Sequence, residues 1–302
     1  MAKDNTSPPL PLFFNQPFFF LFHSTEQVND SMDKLKELSS KAEDLIDRVG
    51  QPLKPHIPLI ARFLIVATFL EDTLRIFTQW SDQVQFMQDF RHFPKGLSHL
   101  FLGLNIITMM ACSGLIIVKR YQEYAVYGLL GVVIAQGLGY GLIFNLSFFL
   151  RNLSVMGGLL MVLSDALPKG KQMFAALPQL SESNRRTYLQ LAGRILLIFL
   201  FVGSAFHGEW SWMRVFVSVY GLVACVMVAV GFKAKWSAMF LVLFLSVFNI
   251  FINNFWSVTH THLKRDFLKY DFFQTLSTVG GFLLLVSTGP GLYSVDEKKK
   301  AF

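Results

Sequence analysis

The 302-residue chain is poor in charge, in cysteine and in any motif that carries chemistry. Only 16% of its residues are Asp, Glu, Lys or Arg, against about 25% in an ordinary soluble domain. The two cysteines, Cys112 and Cys225, each lie inside an apolar run. That excludes a disulfide framework and leaves each thiol to pack as a small hydrophobe. No phosphate-cradling loop, nucleophile elbow or zinc-finger spacing occurs, so the sequence points to no enzyme, no metal and no cofactor.

What the chain has in excess is grease. Hydrophobic residues make up 53%, phenylalanine alone contributes 32 residues, and the mean hydropathy is +0.44. A soluble protein of this size has no interior large enough to hide that surface, and disordered chains are poor in aromatics. The 27 basic residues exceed the 20 acidic ones, which suits the cytosolic loops of a membrane protein rather than a nucleic-acid partner. The expectation is a multispanning membrane protein.

A helix needs about 20 apolar residues to cross a bilayer. Eight stretches come near that length: 57–79, 98–118, 124–144, 146–164, 189–207, 212–232, 236–258 and 270–288. The third and fourth are separated only at Asn145, the fifth and sixth only around His207, Gly208 and Glu209, which leaves seven or eight spans open. A cytosolic amino terminus puts Lys119, Arg120, Lys169, Lys171, Arg185, Arg186, Lys233, Lys235 and Lys298 to Lys300 inside. That is eleven basic residues against five outside, Arg91, Lys95, Lys264, Arg265 and Lys269. Both termini are then cytosolic, which requires an even number of spans, and eight fits.

The halves of the chain resemble each other. Leu153 to Gly158 (LSVMGG) matches Leu276 to Gly281 (LSTVGG), and Phe148-Phe149 and Phe272-Phe273 precede them. Arg62 matches Arg194, and Cys112 and Cys225 stand at similar distances before Lys119 and Lys233. Chance likeness between apolar helices competes with an internal repeat. On the repeat reading the fold is all-α, a polytopic membrane helix bundle of about eight transmembrane helices in two four-helix repeats. Residues 57–164 and 189–288 form the repeats, 165–188 a cytosolic connecting loop and 289–302 a cytosolic tail. Glycine pairs such as Gly157-Gly158 permit close helix approach. Residues 1–56 form a cytosolic extension. Its aromatic run Leu10 to Phe22 is too short to span and is interrupted by Pro11 and Pro17. It also lacks the basic n-region and cleavage site of a signal peptide. Over 31–49, Met32, Leu35, Leu38, Leu45, Ile46 and Val49 share one helical face, predicting an amphipathic helix on the membrane or the bundle.

Several strings converge on one family. Phe69-Leu70-Glu71-Asp72, the stretches Gly170 to Pro178, Gly231 to Lys235 and Phe267 to Thr275, and the ending Val295 to Lys300 closely resemble the surfeit locus protein 4 family. The likeness covers about residues 55–302, and residues 1–54 depart from it. The repeat halves also look like the four-helix DoxX-type membrane domain. The resemblance implies a receptor without catalysis in the endoplasmic reticulum (ER) membrane, cycling to the early Golgi. It implies soluble secretory cargo proteins bound in the lumen, loading into COPII vesicles and return in COPI vesicles. Its partners are then cargo, both coats and membrane lipids. Such receptors recognise short hydrophobic signals, in several cases near a newly exposed amino terminus.

Within that frame particular residues stand out. Lys299 and Lys300, three and four places from the end, have the spacing of a dilysine retrieval signal, whose two ammonium groups suit a complementary coat surface. A solvated basic end that merely enforces orientation is the plainer reading. Inside the first span, Glu71 and Arg75 are four apart and share a face, Asp72 points elsewhere, and Arg62 sits nearer the cytosol. Arg151 in the fourth span lies at the depth of Glu71 and is placed to neutralise it. The second half replaces Glu71, Asp72 and Arg75 with Gly203, Ser204 and His207. Intramembrane charges face a bundle interior or a watery cavity, so these acids either hold the bundle together or contact cargo. Asn249 and Asn253 share a face near Asn254 and Trp256, and Tyr270 and Asp271 open the last span. They offer hydrogen bonds to a cargo peptide, or serve as interfacial belt and interhelical contacts. His260 and His262 are too few for a structural metal. The glycosylation tripeptides at Asn145 and Asn152 lie at or within the membrane, where modification is not expected. A competing function is a polytopic ER membrane transporter of a small solute, since repeats and buried charges also build transport pathways.

Overall fold

A computed structural model describes residues 55–167, 180–205, 212–258 and 263–289, with Gly291 and Ser294. Among these there is no strand. The helices are α1 (Ile57–Thr78), α2 (Trp80–Asp89), α3 (Lys95–Val118), α4 (Gln122–Gly139), α5 (Leu146–Ala166), α6 (Leu180–Leu197), α7 (Phe199–Ala205), α8 (Trp212–Val230), α9 (Ala234–Ile252) and α10 (Leu263–Thr288). The expected amphipathic helix at 31–49, the segment around His207, the pair His260 and His262, and the tail with Lys299 and Lys300 lie outside the described residues.

Three stretches are long and apolar enough to cross a membrane by length and composition: Lys95–Val118, Leu146–Ala166 and Ala234–Ser257. Other helices at the expected positions carry more charge. Arg62, Glu71, Asp72 and Arg75 all fall within α1, and Lys264, Arg265, Asp266, Lys269 and Asp271 within α10. Outward faces are apolar, as lipid contact requires. Leu100, Leu104 and Ile107 on α3 and Leu243, Val247 and Phe251 on α9 are exposed.

Local chemistry sets the element ends. Pro58 occupies the first turn of α1, where its missing N–H costs nothing. Asn145 caps α5 by accepting the Ser147 N–H at 3.2 Å. Lys119 and Tyr121, both at positive φ, turn the chain from α3 into α4, and Gly231 and Lys233 repeat that turn between α8 and α9. Boundaries differ from expectation in several places. Helix α6 begins at Leu180, inside the stretch 165–188 expected as a connecting loop and nine residues before the apolar run. Helix α2 fills what reads as a loop. The third stretch ends at Gly139 rather than 144, because Gly141 turns at φ +73° into a short 3-10 turn, Leu142–Phe144. The fifth breaks at Ile198, whose N–H bonds back to Ile195 O at 3.2 Å. The last starts at Leu263, seven residues before the apolar stretch.

Helices α5 and α10 cross at the centre, where Gly158 and Gly281 lie back to back and the Ser154 and Thr278 hydroxyls are 3.1 Å apart. Each then packs across onto the opening helix of the other half, α10 onto α1 and α5 onto α6. These two crossings are built alike. A Cβ on Gly280 would lie 2.7 Å from Ala61 O and Ile65 N, and one on Gly157 would lie 2.9 Å from Gly193 O and 3.0 Å from Leu197 N. Ser277 Oγ donates to Ile65 O (2.7 Å) as Ser154 Oγ donates to Leu197 O (3.4 Å). Only glycine allows backbones this close. At the far end Arg62 Nη2 donates to Asp165 Oδ2 at 2.8 Å, tying α1 to the end of α5.

Candidate functional site

Between α1, α2, α4, α5 and α10 lies a cavity of about 580 Å³, within the size range of small-ligand sites. Its aromatic walls are Phe69, Phe86, Phe148 and Phe267. The polar groups converge from all five helices. Asp72 Oδ1 accepts from Arg75 Nη2 at 2.6 Å, and the Arg75 guanidinium lies 5.8 Å from the centre of the Tyr270 ring, a cation–π contact. Tyr270 O–H donates to Asn152 Oδ1 at 3.2 Å, and Gln274 Nε2 donates both to that oxygen (3.0 Å) and to the Tyr270 hydroxyl. Gln274 Oε1 is buried with no donor opposite it. Tyr140 O–H donates to Gln83 Oε1 at 2.9 Å and anchors α2 across the mouth. Asp72, Asp82 and Asp266 line the space against the single cation Arg75. The lining is therefore acidic and aromatic, a combination that suits a cation carried on apolar groups.

The charge pairs differ from those expected. Arg75 pairs with Asp72, not Glu71, because one residue turns a helical side chain by about 100° and places Asp72 and Arg75 together on the cavity face. Glu71, with a side chain 3% exposed, faces α10 instead and meets Lys269 Nζ at 3.1 Å. Arg151 does not neutralise Glu71. It forms an ion pair with Asp271, which is thus buried between α5 and α10 rather than lying at a rim.

The remaining predicted residues divide. Asn249 and Asn253 line a second, smaller pocket of about 70 Å³, together with Arg151, Leu200, Phe201, Phe248 and Thr275. There Asn253 Nδ2 donates to Asn249 Oδ1 (2.8 Å), and Asn249 Nδ2 to Phe272 O (3.1 Å). Trp256 lines neither space. It is half-exposed, edge-on to Phe255 and Phe272. Sequence reasoning passed over Asn152, Gln136, Tyr140, Gln83 and Gln274. Asn152 stood out only as a glycosylation tripeptide, and Gln83 sits on a helix that reads as a loop. Among the described residues no group of three His, Cys, Asp or Glu side chains is placed to hold a metal.

The SURF4 family model matches residues 36–302. The chain belongs to the SURF4 family. It is 52% identical to a surfeit locus protein 4 homolog of Schizosaccharomyces pombe, over the full length of both chains. It is 41% identical to the ER-derived vesicles protein ERV29 of Saccharomyces cerevisiae, over 88% of this chain and 85% of that one. It is 38% identical to a surfeit locus protein 4 homolog of Drosophila melanogaster, over 87% and 97%. No solved structure matches. The SURF4 likeness thus reaches further toward the amino terminus than the short motifs indicate. The family match starts at residue 36, and the fission-yeast alignment takes in the extension as well.

Proposed function

We propose that this SURF4-family chain is an ER-to-Golgi cargo receptor. It binds soluble secretory proteins in the ER lumen, enters COPII vesicles, and returns through COPI by the dilysine pair Lys299 and Lys300. The proposed frame is two four-helix repeats, eight spans in all, with both termini cytosolic. The observation that carries the reading is the large cavity. A carboxylate, a stacked guanidinium and an aromatic wall converge there, as recognition of a short hydrophobic signal with a charged end demands. The name of the budding-yeast relative, an ER-derived vesicles protein, supports the compartment.

Cargo would enter with its apolar side chains against Phe69, Phe148 and Phe267, its ammonium exchanging with Arg75 at Asp72, and its main chain meeting Asn152 and Gln274. Water excluded from such a site strengthens the ionic contact. Asp72→Asn is nearly isosteric, and a lost charge-assisted hydrogen bond is worth about 1.5–3 kcal/mol. Cargo co-precipitated from detergent should therefore fall by about tenfold or more while receptor abundance holds. Undiminished capture by Asp72→Asn removes the carboxylate from the site. A secretion profile after deletion tests the function itself. Selective retention of soluble proteins in the ER supports a receptor, and an altered solute composition with normal secretion supports a transporter instead.

A further inference from the structure

The small pocket is the counterpart of the large cavity in the other half of the chain. In the register set by the two matched turns and the two matched crossings, Phe201 stands where Phe69 does, and Phe248 where Gln136 does. The central helices exchange roles. Helix α5 gives Asn152 to the large cavity while α10 gives Thr275 to the small one, and α10 gives Gln274 while α5 gives Arg151.

The substitutions between the two define what the small pocket takes. Thr68, Gln136 and Tyr140 of the first become Leu200, Phe248 and Ile252 of the second, so with Phe201 and Leu245 one side of its wall is apolar, while Ser218, Asn249, Asn253 and Thr275 keep the other side polar but uncharged. Arg151 remains polar, with a side chain 8% exposed, and Asp271 compensates its charge. A neutral pair leaves no charge for an ion to match, and an additional buried ion would be uncompensated. Yet the Arg151 Nε–H is buried with no acceptor, and a buried donor without a partner calls for one.

We propose that this pocket is a second ligand site, separate from the large cavity, for an uncharged apolar molecule that places a carbonyl oxygen, as in an ester or amide, on Arg151. The space, about 70 Å³, suits the carbonyl end and its first few carbons. A bilayer lipid and a small soluble ester both supply that chemistry.

The test uses the full chain in lipid nanodiscs and a photoreactive diazirine analogue of methyl hexanoate, with labelled peptides mapped by mass spectrometry. Label is expected on Leu200, Phe201 or Phe248. Excess methyl hexanoate should suppress it, with hexane, hexanoate and hexylammonium each about tenfold or more weaker. Arg151→Gln/Asp271→Asn removes both charges together and should abolish the preference for the ester over hexane. If that variant does not elute as the folded chain, the wild-type competition decides alone. Label confined to outward residues such as Phe240 and Phe251, or equal suppression by hexane or hexanoate, overturns the proposal. Stronger labelling in diether-lipid discs than in diester discs would identify the lipid ester as the natural occupant, and equal labelling a soluble one.

Discussion

The buried pair Arg151–Asp271 offers a decisive perturbation, because both side chains are below 10% exposure and neither can reach water once stranded. Removing one partner of such a pair costs about 3–5 kcal/mol, whereas replacing both is often neutral or better. A second buried acid behaves differently. Glu71 is paired with Lys269, a side chain 33% exposed on a flexible stem. After Glu71→Gln that lysine can swing its ammonium into solvent, so the cost should be about 0–1 kcal/mol, as for a surface pair. Equal burial of the two carboxylates thus gives unequal consequences, set by the partner. Gel filtration after heating, read by fluorescence, should show Arg151→Gln and Asp271→Asn losing the monodisperse peak well below the wild-type temperature. The double variant should recover most of it, and Glu71→Gln should stay close to wild type. The pair joins α5 to α10, so the coupling reports on the central crossing. Additive single effects, or a double variant worse than either single one, would refute the assignment.

The glycine crossings can be tested in the same assay. Gly280→Ala and Gly157→Ala drive a Cβ into the backbone and should each cost about 1–3 kcal/mol. Gly158→Ala, whose nearest neighbour would be 3.7 Å away, should stay within about 0.5 kcal/mol. Serine at both 299 and 300 should release the protein to later compartments without lowering its abundance, and unchanged ER residence would remove the proposed retrieval signal. A carboxyl-terminal tag should be digested by protease added to sealed microsomes, and its protection would reverse the topology.

Much of this was legible in the sequence, for identifiable reasons. Apolar length located Lys95–Val118, Leu146–Ala166 and Ala234–Ser257, since a stretch that avoids charge for about 20 residues has few alternatives to a helix in lipid. The matched LSVMGG and LSTVGG strings marked both crossings, because close packing restricts residue size there. Side-chain partners were less legible. Spacing allows Arg75 to reach Glu71 or Asp72 equally, and only the rotation of α1 against α10 chooses between them. Asn152 and Gln274 could not be read as a pair, since 122 positions separate them and the contact depends on how α5 crosses α10. Helix α2 has little apolar content, and its place over the cavity rests on Tyr140 reaching Gln83.

The two matched crossings are built alike, and the residues around the two cavities differ. Gly157 and Gly280, and Ser154 and Ser277, occupy matching positions because both crossings demand the same backbone approach. Around the pockets the match dissolves: polar Thr68, Gln136 and Tyr140 face apolar counterparts, and Asp72 has Ser204 as its partner in sequence. Helix α1 runs unbroken past Val66, while its counterpart breaks at Ile198, just before Leu200 and Phe201 enter the small pocket. Matched positions that differ in polarity, Thr68 and Leu200, Gln136 and Phe248, Tyr140 and Ile252, line the two cavities flanking α5 and α10.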